Sequence, residues 1–375
     1  MIELRGAYTD CKIFTEDVAS SALDQVQLFL NHPAFEGCKT RFMPDIHAGS
    51  GSVIGVDIGC GMLSCKLDRK AIGFESLDTF VREFIPSGFK VNTRSPEIPD
   101  DFKERLLSVC SDISLSSERV LLSLGTLGGG NHFIEIGEDE ESNLWLTIHS
   151  GSRNFGLQVA TYHQKEAENL CSTTRIDLTN IPLKDRESFK LEQKLSMEEI
   201  PKGMEYLTGN SANRYIGHMK VAQEYASLNR RIIMDKIVSF LHCDILDTVE
   251  SIHNYIDFDF GIIRKGAISA NLGELVVIPW NMRDGLIIGR GKGNPDWNFS
   301  APYGAGRTMS RTRAKELLDL ETFKQSMESV YSSCISESTL DEAPAAYKDY
   351  LSVERYMEDS VEILYRVRPL YNFKA

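Results

Sequence analysis

The chain has 375 residues, 42% of them hydrophobic and 25% charged, so it can bury a substantial core and belongs to neither a disordered nor a fibrous class. Its 41 basic and 54 acidic residues leave a formal charge of −13, which argues against broad nonspecific nucleic-acid binding while leaving room for a local basic patch. No apolar run approaches the ~20 residues of a spanning helix, and Met1-Ile2-Glu3-Leu4-Arg5-Gly6 is not a basic and apolar leader, so a cytoplasmic protein is expected. The 8 cysteines occur without CxxC pairs and are expected as reduced thiols.

Residues 1–40 read as a strand followed by a helix around Ser20 to Leu30, with Val26, Leu28 and Leu30 among its apolar positions. A polar loop follows, Met43-Pro44-Asp45-Ile46-His47-Ala48-Gly49-Ser50-Gly51-Ser52, in which His47 either orients a ligand or is merely solvated. Next comes Val56-Asp57-Ile58-Gly59-Cys60-Gly61-Met62. A carboxylate and a thiol at this spacing can reach one metal ion, Asp57 with a hard oxygen and Cys60 with a soft sulfur able to bridge two. Gly59 and Gly61 permit the tight backbone this needs. Alone, however, the stretch reads as a buried turn with Cys60 as a small hydrophobe, because a metal site needs more ligands.

From Leu67 to Val120 the pattern is mostly amphipathic helix, as at Phe102 to Val109, with an exposed break at Pro96-Glu97-Ile98-Pro99. The glycine run of Gly125-Thr126-Leu127-Gly128-Gly129-Gly130-Asn131-His132 then enters a strand through Phe133, Ile134, Glu135 and Ile136. Bare backbone N–H groups there suit a phosphate, and a plain glycine turn is the competing reading. In a regular strand Asn131 and Glu135 share one face and His132 takes the other, so His132 is expected at the strand mouth, before the pleat is fixed. A second strand, Leu144 to His149, ends in another histidine before Ser150-Gly151-Ser152-Arg153. Paired strand-end histidines beside glycine loops are harder to explain as core residues than either one alone.

Helices follow around Leu157 to Leu170 and Ala212 to Leu241, separated by a polar, Pro-containing stretch. Ile216, Met219, Ala222, Tyr225 and Ala226 have the spacing of a buried face, while His163 and His218 read as structural or surface residues. Beyond Ile252-His253-Asn254-Tyr255 and Arg264-Lys265-Gly266-Ala267 lies a strand-like Glu274 to Pro279. The run Gly289-Arg290-Gly291-Lys292-Gly293-Asn294-Pro295, continuing to Ser300 to Arg311, interleaves basic residues with glycine. It reads equally as a phosphate-binding segment and as an ordinary basic loop. Without a repeat or a linker, one intertwined domain over 1–375 is expected.

Together Met43-Pro44-Asp45-Ile46-His47, Asp57 to Met62, Gly130-Asn131-His132-Phe133, His149 to Arg153, His253-Asn254-Tyr255, Arg264 to Ala267 and Gly304-Ala305-Gly306-Arg307 resemble the RtcB family of RNA ligases, in order and over nearly the whole chain. The run Asp341 to Asp349 adds to the coverage rather than to the chemistry. The resemblance implies an α+β fold, a single large intertwined domain with β-sheets flanked by helices. It implies joining of an RNA 3′-phosphate or 2′,3′-cyclic phosphate to a 5′-hydroxyl, with GTP and two Mn2+ ions. The implied metal ligands are Asp57, Cys60, His132, His149 and His253, with Cys60 as the bridge. Asn131, Glu135, Gly304, Ala305, Gly306, Arg307 and Lys374 match nucleotide-binding positions, and Arg153 a phosphate-site arginine.

Three departures accompany the resemblance. Tyr303 stands where the family has the histidine that takes up guanylate, and a phenol of ordinary pKa ~10 needs a nearby cation or base to ionise near neutrality. The chain passes from Ser52-Val53-Ile54-Gly55 directly into Val56-Asp57, where the family carries an extra β segment. Around Pro279-Trp280-Asn281-Met282 the family's small Gly-Ser pair is replaced, so a different nucleotide pocket is expected. The competing functions are a metal-dependent 2′,3′-cyclic phosphodiesterase, which needs no protein nucleophile, and a noncatalytic RNA-end-binding protein.

Overall fold

A computed structural model describes residues 1–47, 57–172 and 203–374. The end of the polar loop at 48–52, the passage at 52–56 and most of the stretch between the two long helices lie outside them. At the N-terminal end β1 (Ile2–Arg5) pairs antiparallel with β2 (Asp10–Ile13), to which β3 (Thr40–Phe42) adds in parallel. Between β2 and β3, α1 (Ser20–Leu30) buries Ala22, Val26 and Leu30 and leaves Leu28 on its exposed side.

The central region comprises β4 (Gly61–Leu67), α2 (Phe74–Phe84), α3 (Asp100–Asp112), α4 (Ser117–Leu122), β5 (Phe133–Glu138), β6 (Leu144–Ser150), α5 (Arg153–Ser172) and α6 (Gly209–Leu241). In α3 the buried Phe102, Leu106, Val109 and Cys110 recur at helical spacing, and Asp100 and Asp101 in the first turn complement the helix dipole. The rest of the chain forms β7 (Ile245–Ile252), β8 (Asn254–Asp257), β9 (Ile262–Lys265), β10 (Ala267–Ser269), β11 (Leu275–Asn281), β12 (Gly285–Gly291), β13 (Ser300–Pro302), α7 (Arg311–Leu317), α8 (Leu320–Ser326), α9 (Tyr350–Met357) and β14 (Val361–Lys374).

The fold is mixed α+β around a seven-stranded antiparallel sheet of order β11-β12-β14-β5-β6-β4-β7. Its first and last strands curl back toward each other, and the Val277 N–H of β11 donates to Ser251 Oγ of β7 at 3.0 Å, so the sheet is nearly closed. Alternation sorts the side chains. Leu63, Cys65, Ile134, Ile136, Leu146 and Ile148 face outward onto α2 and α6, while Met62, Phe133, Trp145, Val277, Ile288 and Val367 fill the inner side. Burial on both faces explains why β4, β5 and β6 read as near-continuous apolar runs, each large aliphatic side chain contributing about 1.5–3 kcal/mol.

Helix α6 lies across the outer face of this sheet, about 50 Å long at 1.5 Å per residue. Its buried stripe runs through His218, Met219, Ala222, Tyr225, Ala226, Ile233 and Ile237. Ile216 is exposed, contrary to expectation, because the stripe passes through Tyr215 one residue earlier. His163 and His218 are not at the surface. They are buried side by side, His163 Nε2 3.0 Å from His218 Nδ1, with Glu166 at one end and Asp112 at the other. The Gly289–Pro295 run is also not wholly a loop: its first three residues close β12, Arg290 pairs with Glu362, and Lys292 Nζ donates to the Glu358 carbonyl. Its charges are thus spent on neighbouring chain. Among the described residues no helix is long and apolar enough to cross a membrane, and all eight cysteines are free thiols.

Candidate metal centre and adjoining pocket

The turn Asp57–Cys60 is fixed by backbone before any side chain acts. Cys60 N–H donates to the Asp57 carbonyl at 3.1 Å, His253 N–H to the Cys60 carbonyl at 2.9 Å, and Gly59 N–H to the Asn254 carbonyl at 2.7 Å. The Asn254 amide adds a bond to the Asp57 carbonyl at 2.8 Å. Gly59 has φ +74, and a Cβ there would lie 2.8 Å from the Ala226 Cβ of α6, so only glycine lets this turn seat against the helix.

Behind the turn, α6 offers a polar pair in its apolar stripe. Asn229 accepts from Gly125 N–H at 2.8 Å and Thr126 N–H at 3.2 Å, and donates to Ser150 Oγ at 3.0 Å. Arg230, fully buried, donates from one nitrogen to the Gly59 and Ser150 carbonyls, both at 2.8 Å, and is neutralised by Glu250 at 2.7 Å. Burial alone would raise the Glu250 carboxyl, but Arg230 outweighs it and holds it low. The sequence reading missed both residues, although polar side chains inside an apolar helical stripe are the signal that could have found them.

On this scaffold Cys60, His132 and His149 come together with their ligand atoms within 4.8 Å of one another. His132 Nδ1 donates to the Leu127 carbonyl at 2.9 Å and His149 Nδ1 to the Asn131 carbonyl at 3.1 Å. A carbonyl can only accept, so each Nδ1 carries a proton and each Nε2 faces the thiol, at 3.5 and 3.3 Å from Cys60 Sγ. Asp57 Oδ2 lies 3.0 Å from His132 Nε2, while its Oδ1 accepts from Ser152 N–H at 2.9 Å. The His253 ring is 5.1 Å from that of His149, and among the described residues its buried Nδ1 has no hydrogen-bond partner.

A carboxylate, a thiol, two oriented imidazoles and an orphaned ring nitrogen form a donor set that a cation would satisfy, and the residues fit a metal ion. The electrostatics agree. Burial, then the Asp57 charge, pushes the Cys60 thiol well above its usual value; a bound cation favours its thiolate. Burial pushes His253 down to about 3, helped by Arg230, and burial with the two other imidazoles pushes His149 well down, so both rings are neutral ligands. Burial opposes ionisation of Asp57, but the His132 contact and the charges of His132 and Arg153 prevail and hold it low.

Arg153 opens α5 at φ +58 and directs Nη1 to within 3.3 Å of His132 Nδ1. Its guanidinium rests where a Gly128 side chain would be, since a Cβ there would lie 1.9 Å from Cζ. Tyr303 packs its ring 4.6 Å from that of His253 and donates its backbone N–H to Asp45 Oδ2 at 3.3 Å. Among the described residues its hydroxyl has no hydrogen-bond partner. Burial, then Asp45 and Cys60, pushes the phenol above its ordinary value.

A narrow pocket of about 80 Å³ adjoins the centre, lined by Asn131, Glu135, Tyr303, Arg307 and Lys374 among others. It shares Arg311, Glu342 and Lys374 with a wider cleft of about 520 Å³. Gly304, Ala305 and Gly306 line it too, as do Pro279, Trp280, Asn281 and Met282. Lys374 is buried, bonded to Glu342 at 2.5 Å and to the Asn131 carbonyl at 3.3 Å. The Arg307 guanidinium is engaged by the Asp341 carbonyl at 2.6 Å and by Glu342 at 3.4 Å. The Asp341–Glu342 segment therefore contributes more than coverage: Glu342 ties Arg307, Arg311, Tyr347 and Lys374 together. No sequence motif announced that role.

This is an α+β protein with a cysteine–histidine centre at the mouth of a pocket closed by its C-terminal strand. The family model described as tRNA-splicing ligase RtcB matches residues 111–375. The chain is 33% identical to the RNA-splicing ligase RtcB of Escherichia coli K12 and 32% identical to the RNA-splicing ligase RtcB1 of another strain of that species, covering 89% of each chain in both cases. With the tRNA-splicing ligase RtcB of Aeropyrum pernix it shares 29% identity over 73% of this chain and 63% of that one. The chain belongs to the RtcB family.

Proposed function

We propose that this protein is an RNA ligase of the RtcB type, using GTP and manganese to join a 3′-phosphate or 2′,3′-cyclic phosphate end to a 5′-hydroxyl. The observation that carries the reading is the convergence of Cys60, His132 and His149, with Asp57 and His253 beside them, at the end of a pocket lined by Asn131, Glu135 and Lys374. These ligands would hold two manganese ions, which neutralise phosphate oxygens and polarise the phosphorus when bound. Arg153 supplies a fixed positive charge for the RNA phosphate. Asn131, Glu135, Lys374 and the Gly304–Arg307 turn surround the nucleotide, and Tyr303 occupies the position from which the guanylate bond is made.

The test is incubation with labelled GTP and manganese, followed by assay of matched RNA ends, for the parent and Tyr303→His. Joined product supports the reading; failure of both proteins to take up label or join RNA sinks it. If only the histidine variant is labelled, this chain is a ligation-defective form.

One observation favours a second reading. Among the described residues no base stands at the Tyr303 hydroxyl, so a reaction that bypasses a protein nucleophile is better served, and hydrolytic opening of a 2′,3′-cyclic phosphate, for which a bound metal ion would supply the activation, is such a reaction. It predicts GTP-independent opening that Cys60→Ala abolishes. Binding of RNA ends without turnover under any metal would instead identify a noncatalytic protein.

A further inference from the structure

The turn that follows α2 carries an aromatic side chain that the site described above does not use. Phe89 is 97% exposed, and among the described residues no other large apolar side chain is as open to solvent. Its backbone is nevertheless fixed. Lys90 N–H donates to the Ser87 carbonyl at 3.2 Å and closes a tight turn with Gly88, at φ +62, and Phe89 at its tip. Gly88 N–H donates to the Gly128 carbonyl at 2.8 Å, Leu127 N–H to the Pro86 carbonyl at 2.9 Å, and the Arg119 guanidinium to the Phe89 carbonyl at 3.2 Å. The fold thus holds a large ring rigidly in water, where it gains no burial and presents a flat face for a ligand to cover.

Hydrogen bonds through the glycine run join this turn to the metal centre. Leu127, which donates to Pro86, accepts at its own carbonyl from His132 Nδ1. Gly128, which accepts from Gly88, leaves the space that the Arg153 guanidinium occupies. The surface continues toward the wider cleft: a Cβ on Gly129 would lie 3.8 Å from Gly88 Cα, and one on Gly130 would lie 3.9 Å from Arg311 Nη2, at the cleft that Lys315 and Lys374 also line. Lys90 and Arg94, close to Phe89 in the chain, are exposed as well. An open ring, bare backbone and flanking cations are the means by which single-stranded nucleic acid is held, a base stacking on the ring while cations meet phosphates. Their concentration here, in a chain of net charge −13, favours a polyanion. Gly88 and Lys90 on either side of the ring do not extend it into the apolar centre that a protein partner buries.

We propose that Phe89 is a stacking platform for one base of the single-stranded RNA that ends in the 3′-phosphate, steadying that strand as its end enters the centre. The inference rests on the RNA-ligase reading and adds a substrate-binding residue outside the metal centre and the nucleotide pocket. The 3′-phosphate strand is the one chosen because Gly128 both anchors the turn and makes room for Arg153, the arginine assigned to the RNA phosphate.

The experiment measures, by fluorescence anisotropy, binding of the full chain with manganese and without GTP to short labelled RNA bearing a 3′-phosphate, intact or with one abasic nucleotide placed in turn at each position near that end. The parent is expected to lose about tenfold in affinity when the abasic nucleotide falls at one position. Phe89→Ala is expected to bind intact RNA about tenfold more weakly and to lose nothing further at that position, whereas Phe89→Trp restores the affinity and Phe89→Leu does not. The ring supports no packing, so the melting temperature of each variant should match the parent's. Parental RNA affinity in Phe89→Ala, which would leave a protein partner as the occupant of the ring, overturns the proposal while leaving the ligase reading intact. The same holds for abasic losses that are equal in the parent and Phe89→Ala at every position, or for Leu serving as well as Trp. Failure of the parent to bind RNA overturns the RNA reading itself and the Phe89 assignment with it.

Discussion

Arg230 connects folding to the centre, and its replacement by methionine separates the two contributions. The side chain is fully buried and makes two 2.8 Å bonds to the Gly59 and Ser150 carbonyls, each adjacent in sequence to a metal-ligand candidate, Cys60 or His149. It also pairs with Glu250, whose side chain is 21% exposed. Methionine fills much of the volume, so the loss is chiefly electrostatic: removing one partner of a buried pair costs about 3–5 kcal/mol. Replacing Glu250 with leucine as well removes the stranded charge and should recover part of this loss, leaving about 1–3 kcal/mol for the unpaired carbonyls. Because those carbonyls orient the strand ends that present Cys60 and His149, manganese affinity should fall about 10–100-fold in both the single and the double variant. Urea denaturation and metal titration measure the two quantities. A double variant with parental metal affinity would refute the positioning argument, whatever its stability.

Other perturbations probe the remaining parts of the site. Burial, against the Asn372 bond and the Lys374 charge, pushes Glu135 up to about 8 from an ordinary 4.5. The native state therefore binds more protons than the unfolded chain between those values, so Glu135 contributes stability that is fully present below about 4.5 and lost as pH rises through about 8; urea melts across this range should show a decline that Glu135→Gln abolishes. A Gly151→Ala side chain would lie 2.2 Å from Asp57 Oδ1, and it should cost about 1–3 kcal/mol in stability and weaken manganese binding about tenfold or more, as seen by thermal melts and metal titration. Glu342→Gln strands Lys374, both side chains being about 5% exposed or less, and should cost about 3–5 kcal/mol. Lys374→Met should cost clearly less, because Glu342 keeps Arg311 at 3.0 Å and Tyr347 at 2.6 Å; equal costs in denaturant melts would contradict the hub role of Glu342.

Several elements could be read from local pattern because local forces decide them. The spacing at Phe102 to Val109 and the apolar runs at Phe133 to Ile136 and Leu144 to His149 anticipate α3, β5 and β6. His132 precedes β5, so its side chain is oriented by the Leu127 carbonyl rather than by the pleat, and it converges with His149. The buried histidine pair escaped notice because His163 and His218 satisfy each other across two helices, a contact that neither helix's own periodicity contains.

Glycine had two meanings in this sequence, and only the fold distinguishes them. At Gly128 it yields space to the Arg153 guanidinium. At Gly289 and Gly291, where the pattern suggested a phosphate loop, it permits close strand packing: a Cβ would come within 2.5 Å of Val361 Cγ1 at the first and 2.4 Å of the Asn271 carbonyl oxygen at the second. The same logic explains why Asn372 was passed over. Its counterpart Glu135 is more than two hundred residues away in sequence, |i−j| = 237, and only the antiparallel register of β14 on β5 turns an isolated asparagine near the chain end into its hydrogen-bond partner. Glycine turns flank Asp57, Cys60, His132 and His149, whereas the full set of candidate ligands, His253 included, came from the family resemblance; the pairing of Glu135 with Asn372 is defined by strand register, which no short motif encodes.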